Sequence, residues 1–353
     1  MDGLFKPAET ASMAAQLRPA VDRILQIQDA KGAIAWFENG PWDPWNHVES
    51  AMALCASGEQ LAAAKAYDYL VACQRPDGAW FGEYGNALPM VDRLFISRQE
   101  APAFLDANFC AYPAVGVLHY LEQTGDIERV RSWWPMIARA LDFVLTLQRA
   151  DGTICWSLEA LDTEVEDALL AGNASILKSL AAGICLAQAL RQTSDHLQDA
   201  HHALRAALQK SPHLFDQRGQ GQRFAMDWYY PVLSGALDKA AGHARIFEQW
   251  DTFVPDERGC RCVMDEPWVT AAETAELVLA LIAIDETDLA ENLFNSLSDI
   301  RDDAGVFWMG WQTQEKIFWP RERPGWTQAA VILAADALEN SSSASRLLTR
   351  PLV

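Results

Sequence analysis

The sequence has no cluster of metal ligands, no nucleotide-binding motif, no secretory leader pattern and little positive charge. Its 353 residues carry 28 Lys and Arg against 48 Asp and Glu, for a formal net charge of −20. A nucleic-acid partner is therefore not expected, because its phosphates would be repelled. An anionic membrane surface is disfavoured for the same reason. No run of about 18 apolar residues is free of charge or punctuation, so no membrane insertion is expected. The stretch from Met1 to Pro7 lacks the charged-then-apolar order of a signal peptide, which predicts a cytoplasmic protein. The seven cysteines are odd in number and scattered. Cys55, Cys73, Cys110 and Cys185 lie in apolar helical runs and read as buried thiols. Cys260 and Cys262 form a C-x-C pair, which without two further ligands is not a zinc site. No metal and no cofactor is expected.

What the chain does have is apolar mass, indole and a repeat. Half of its residues are hydrophobic and 14 are Trp. The segments Gln28–Gly32, Gln74–Gly78 and Gln148–Gly152 each place Gln four residues before Gly, and Trp36, Trp80 and Trp156 follow. Weaker copies end at Gly219, Gly259 and Gly305, the last followed by Trp308. In each, a helical stretch ends at glycine, a loop follows, and a second helical stretch opens.

The first helix of each unit is one-sided. Val130, Trp133, Ile137, Ala140, Leu141 and Val144 mark one face at helical period within 128–148, and 10–28, 59–73, 196–210, 240–250 and 287–299 read alike. The second helices, 44–56, 107–122, 173–191, 228–239, 268–284 and 326–338, are more uniformly apolar, as buried helices are. Strand signals are weak, with short pairs expected only in the loops near Trp36, Trp156 and Phe307–Trp311. The expected fold is all-α: an (α/α)6 barrel, a toroid of six helical hairpins in a single domain over 1–340, with 341–353 as a frayed C-terminal tail.

In such a ring the inner helices all point one way, so their N-termini and positive dipole ends converge on one face. The candidate catalytic residues at these starts are Asp43, Glu49, Asp106, Asp227 and Glu273. The candidate substrate-binding residues are Trp45, His47, Asn108, Trp228, Tyr229, Glu276 and Trp326. Carboxylates and amides beside aromatic faces suit an uncharged polyhydroxylated small molecule. The plainer alternative is capping: Asp43, Asp106, Asn173 and Asp227 stand at N-cap positions, and a carboxylate bound by backbone N–H is a poor acid. Glu49, Glu273 and Glu276 lie a turn inside apolar helices, where a charge is costly unless a cavity solvates it. Trp80 and Trp156 read as structural staples. His196, His201, His202, His213 and His243 read as solvated residues of outer helices. Arg93, Arg98, Arg223, Arg321 and Arg323 fall in loops of the same face, where one or two could hold an anionic group of a substrate.

The run Gln74-Arg75-Pro76-Asp77-Gly78-Ala79-Trp80 resembles the Q-x-x-D-G-x-W repeat of squalene-cyclase-like proteins, and Gln148–Gly152 is a partial second copy. The chain as a whole resembles the (α/α)6 toroid group, which holds the squalene-cyclase and protein-prenyltransferase toroids and the six-hairpin glycosidases. The cyclase resemblance would imply a D-x-D-D acid, and none is present; Asp299, Asp302 and Asp303 have the wrong spacing. The prenyltransferase resemblance would imply a zinc set that Cys260 and Cys262 do not complete. The glycosidase resemblance implies two carboxylates across a cleft, and six candidates are available. The expectation is an intracellular glycosidase using paired carboxylates on a small glycoside or oligosaccharide, with Asp227 and Glu273 as the pair. The alternatives are an isoprenoid-handling enzyme with an aromatic cage for carbocations, and a non-catalytic small-molecule binder whose Asp residues only cap helices.

Overall fold

The computed structural model describes residues 12–85, 104–159, 167–217, 223–255 and 258–353. The first hairpin is α1 (Met13–Ile27) and α2 (Pro44–Ala56). The second is α3 (Gln60–Cys73), strand β1 (Phe104–Asp106), α4 (Ala107–Ala111) and α5 (Pro113–Thr124). The third is α6 (Ile127–Thr146), β2 (Ser157–Glu159) and α7 (Leu170–Leu190), and the fourth is α8 (Asp195–Lys210) and α9 (Ala225–Leu233). The fifth is α10 (Lys239–Glu248), the short α11 (Trp250–Phe253), β3 (Trp268–Thr270) and α12 (Ala271–Ala283). The sixth is α13 (Thr287–Ser296), β4 (Gly310–Gln312), β5 (Ile317–Phe318) and α14 (Gly325–Glu339).

The inner helices close a ring: α2 packs on α5, α5 on α7, α7 on α9, α9 on α12, α12 on α14 and α14 back on α2. The outer helices cover this ring with one apolar face each. In α6 that face is the expected one, with Val130, Trp133, Ile137, Ala140, Leu141 and Val144 buried. The fold is the (α/α)6 toroid. Two inner elements differ from their expected shape: the fourth, expected over 228–239, is the shorter α9, and Lys239 already belongs to the outer α10. The second inner helix is broken at Tyr112–Pro113, since Pro113 has no N–H to continue the ladder. The strands pair only in rim loops, β1 with β2 and β3–β4–β5 in sequence, all antiparallel.

The repeat has a physical content. Gln28, Gln74 and Gln148 each donate twice through Nε2. One bond closes the turn on the carbonyl of Gly32, Gly78 or Gly152, and the other reaches Ala62, Met136 or Ala200 on the next outer helix. The glycines have positive φ and press on that helix. A Cβ at Gly32, Gly78 or Gly152 would collide with the backbone oxygen of Lys65, Arg139 or Ala203. The Trp80 indole is fully buried and donates to Leu70 O at 3.1 Å. The Q-x-x-D-G-x-W segment is thus a packing device between consecutive hairpins. The weak copy ending at Gly219 lies outside the described residues.

Two expectations are corrected. The tail is docked rather than frayed: Ala344 and Leu347 are buried, and Lys178 Nζ of α7 donates to Leu348 O (3.1 Å) and Arg350 O (2.6 Å). His201 is on the buried face of α8 rather than solvated. Among the described residues one helix, Leu170–Leu190, is long and apolar enough to cross a membrane, but it is the inner helix α7 and is mostly enclosed by its neighbours.

Candidate active site

Each inner helix contributes to the central cavity in the same phase. The second residue of every inner helix lines it: Trp45, Asn108, Ala171, Met226, Ala272 and Trp326. So does the third residue of five of them: Asn46, Phe109, Gly172, Asp227 and Glu273. Four residues beyond the second come Glu49, Tyr112, Ser175, Tyr230, Glu276 and Ala330, which line a small chamber beneath. A step of four residues advances about 40° around a helix, so these two sets share one face.

The fourth residue is turned about 200° from the second, toward the outer wall, and there it clamps the loop after the glycine turn. His47 Nδ1 accepts from Ile34 N (3.1 Å), and its Nε2 meets Ala66 O at 3.0 Å. Asn173 bonds both backbone groups of Ile154, and Gln328 both of Phe307. Cys110 meets Trp80, and Thr274 accepts from Cys260 N at 2.8 Å. Trp228 occupies this position in the fourth hairpin; it stacks on Phe253 and donates to Arg245 O at 2.9 Å. His47 and Trp228 are therefore off the cavity wall, against expectation. Burial also lowers the His47 pKa to about 4, so the ring is neutral at physiological pH. Asp43 is also off the wall. It caps α2 through Asn46 N (2.9 Å), and its other oxygen accepts from Trp36 Nε1 (2.7 Å) and Asn46 Nδ2 (2.6 Å).

The cavity has a volume of about 670 Å³. Seven carboxyl groups line it: Glu49, Asp106, Asp167, Asp216, Asp227, Glu273 and Glu276. No Lys or Arg is among its described lining residues. Arg223 pairs with Asp265, Arg323 with Asp302, and Arg321 is exposed away from the wall; Arg93 and Arg98 lie outside the described residues. Apolar and aromatic surface separates the acids: Trp45, Phe109, Trp156 and Trp326 among others. Trp45 lies flat on Tyr112, and Trp326 meets Trp36 edge-on. Trp156 belongs to this wall rather than to a staple.

Burial raises several of these acids despite their hydrogen bonds. Asp106 accepts from Phe109 N at 3.0 Å, yet desolvation pushes it up to about 7. Asp227 is the third residue of α9 rather than its cap. It reaches back to Phe224 N, and burial and the nearby Asp216 raise it to about 7. The expected lowering by backbone N–H groups is outweighed in both. Glu49, bonded by the Tyr112 hydroxyl, is raised to about 7 by burial. Glu276 accepts from both Tyr229 and Tyr230, and burial reinforced by Glu49 pushes it to about 8. Tyr229 is thus a support of Glu276 rather than a wall residue. Glu273 accepts from the Thr270 hydroxyl.

Sequence reading missed Trp156, Phe109, Asp167, Asp216 and Tyr112. Asp167 and Asp216 sit in loops with no helical phase to mark them. Phe109 and Tyr112 were legible as the third and sixth residues of their inner segment, had that phase been applied.

A ring of inner helix starts carrying acids and indoles around one cavity defines a glycoside hydrolase of the (α/α)6 type. The chain belongs to the family of the MMP endo-(1,4)-3-O-methyl-α-D-mannosidase of Mycolicibacterium hassiacum, with which it is 40% identical over 327 residues, 93% of this chain and 87% of that protein. No family model matches the chain. Among solved structures, a wild-type glycosidase superposes with a TM-score of 0.67 at 16% identity, covering 96% of this chain and 99% of that one. A GH63 mannosylglycerate hydrolase from Thermus thermophilus, in complex with Tris, superposes with a TM-score of 0.68 at 11% identity, covering 90% and 99%.

Proposed function

We propose that this enzyme hydrolyses internal α-1,4 linkages of an oligosaccharide of 3-O-methylated mannose, with Asp227 as the proton donor and Glu273 as the second carboxylate. The observation that carries the reading is the cavity wall: seven carboxyl groups alternating with aromatic faces and no cation among the described lining residues. A neutral sugar is recognised by hydrogen bonds from its hydroxyls and by stacking of its rings. Asp227, raised to about 7, keeps a large share of its protons near neutrality and can give one to a leaving glycosidic oxygen. Glu273 occupies the same third position on the neighbouring inner helix, within the same cavity. It supplies negative charge beside the oxocarbenium-like centre and acts on water or on the sugar itself. Asp106 and Glu49 complete the acidic wall as hydroxyl partners, while Trp45 and Trp326 offer ring faces. The mannan substrate is drawn from the relative of M. hassiacum, whose name specifies that linkage and that methyl ether.

An isoprenoid site needs an aromatic cage with few acids, and this wall is the reverse. The test is digestion of 3-O-methylmannose oligosaccharides in parallel with unmethylated α-1,4-mannosides and aryl glycosides, with chain lengths of the products read by mass spectrometry. Internal cleavage of the methylated chains supports the reading. No cleavage of any mannoside would overturn it.

A further inference from the structure

Four of the six inner helices open on a small or capping residue: Asp43, Asp106, Thr270 and Pro324. The other two, which are neighbours in the ring, open on Leu169 and Phe224, and neither side chain caps its helix. Two carboxyl groups bond these helix starts instead. Asp216 Oδ1 accepts from Leu170 N at 3.0 Å, and Asp227 accepts from Phe224 N and bonds the backbone of Ala171. Leu169 and Phe224 are left 38% and 40% exposed, and both lie on the cavity wall. Met226 joins them there, as does Gly172, whose helix face is open enough that an added Cβ would make only ordinary contacts at 3.7 and 3.9 Å. Arg223 lies 5.9 Å from the Phe224 ring, backing it with a cation that is itself paired to Asp265.

Two large apolar side chains exposed on the cavity wall are unfavourable in water, and neither caps the helix it begins. We infer that Leu169, Phe224 and Met226 form an apolar lip that seats an O-methyl group of the sugar, and that this lip makes the enzyme discriminate methylated from unmethylated mannose. The inference rests on the proposed glycan substrate and adds the residues that read its methyl ether. A hydroxyl in the methyl's place would lose water against the apolar atoms of these three side chains, so the lip works by selecting against the bare sugar as much as by attracting the methylated one.

The test compares wild type with Leu169→Ser and Phe224→Ser, which install at each position the kind of residue that begins a helix, and with Gly172→Ala, which fills the notch. Thermal unfolding checks that each variant is folded. The readout is kcat/KM for a methylated over an unmethylated mannose oligosaccharide. The expected result is a fall in that ratio of about 10-fold or more in each Ser variant, the scale of one buried methyl group in a pocket. An unchanged ratio in a folded Leu169→Ser, Phe224→Ser double variant would overturn the inference while leaving the glycosidase reading intact. A second readout does not depend on turnover. Saturation-transfer NMR with methyl 3-O-methyl-α-mannoside and methyl α-mannoside should show preferential saturation of the O-methyl protons in wild type only. Equal binding of the two by wild type would also overturn it.

Discussion

The hydroxyl of Tyr230 donates to Glu276 Oε1 at 2.6 Å, and that of Tyr229 donates to Oε2 of the same carboxyl. Two adjacent residues of α9 thus hold one acid of α12 at the bottom of the cavity. Both phenols are pushed well above their usual range by burial, so they remain donors at any physiological pH. Even with two donors, Glu276 stays protonated below about 8.

That protonation has a consequence for stability. Glu276 is raised to about 8 and Glu49, Asp106 and Asp227 to about 7, all chiefly by burial. Between the ordinary carboxyl range and these values, the folded chain binds protons that the unfolded chain has released, so stability falls as pH rises. The favourable contribution is fully present below about 4 and is lost through pH 7 to 8. The unfolding midpoint should therefore decline from pH 6.5 to 8.5, and Glu276→Gln should flatten part of that decline. An unaltered slope in the variant would show that Glu276 ionises normally. On the acid side, His47, His119 and His201, each lowered to about 4, oppose this carboxyl effect below pH 6.5, because the unfolded imidazoles bind protons that the folded ones do not.

Activity should follow the same acid from the other direction. With Asp227 as proton donor, kcat/KM on a mannoside should drop above about pH 7 as its proton is lost. Asp227→Asn should lower kcat by about 10²–10⁴-fold with the fold intact. In contrast, Asp43→Asn should cost stability, because Asp43 caps α2 and accepts the Trp36 indole, while residual activity per folded molecule stays near wild type. Equal loss of activity in both variants, measured against circular dichroism, would refute the division between acid and cap.

Gly78 and Gly58 both have positive φ, +91° and +86°, but only Gly78 would drive a Cβ into a neighbouring backbone, that of Arg139; Gly58 faces open space. Gly78→Ala should destabilise by about 1–3 kcal/mol more than Gly58→Ala in urea titration, because the first adds a collision to a shared backbone strain. Comparable losses would mean that the contact between the turn and α6 yields easily.

The buried Nζ of Lys178, lowered to about 7 by burial, donates to three carbonyls, those of Leu233, Leu348 and Arg350. Removing residues 346–353 strips two of them and leaves the amine's donors with one partner. The truncation should lower stability by about 1–3 kcal/mol from the unsatisfied donor, with lost packing adding to it. Lys178→Met should recover part of that loss in the truncated chain but destabilise the full one. A double-mutant cycle by denaturant unfolding, showing no coupling between the two changes, would separate the tail from Lys178.

Much of this was determined by the sequence alone. The Gln–Gly turns and the alternation of one-sided with all-apolar helices require six hairpins, and consecutive hairpins in a ring force all inner helix starts to one face. That placed Trp45, Glu49, Asp106, Asn108, Asp227, Glu273, Glu276 and Trp326 on the cavity. Only the tertiary structure decided which neighbours of these residues turn away. His47 and Trp228 lie two positions from the second residue of their helices, about 200° around, and that rotation gives them to the outer wall. Their exclusion depended on exact helix starts, which a sequence fixes only to within a residue or two. The protonation of the acids was also a tertiary matter. Capping N–H groups are local and lower a carboxyl, while burial within the closed ring and the approach of Asp216 to Asp227 come from distant chain and raise it further.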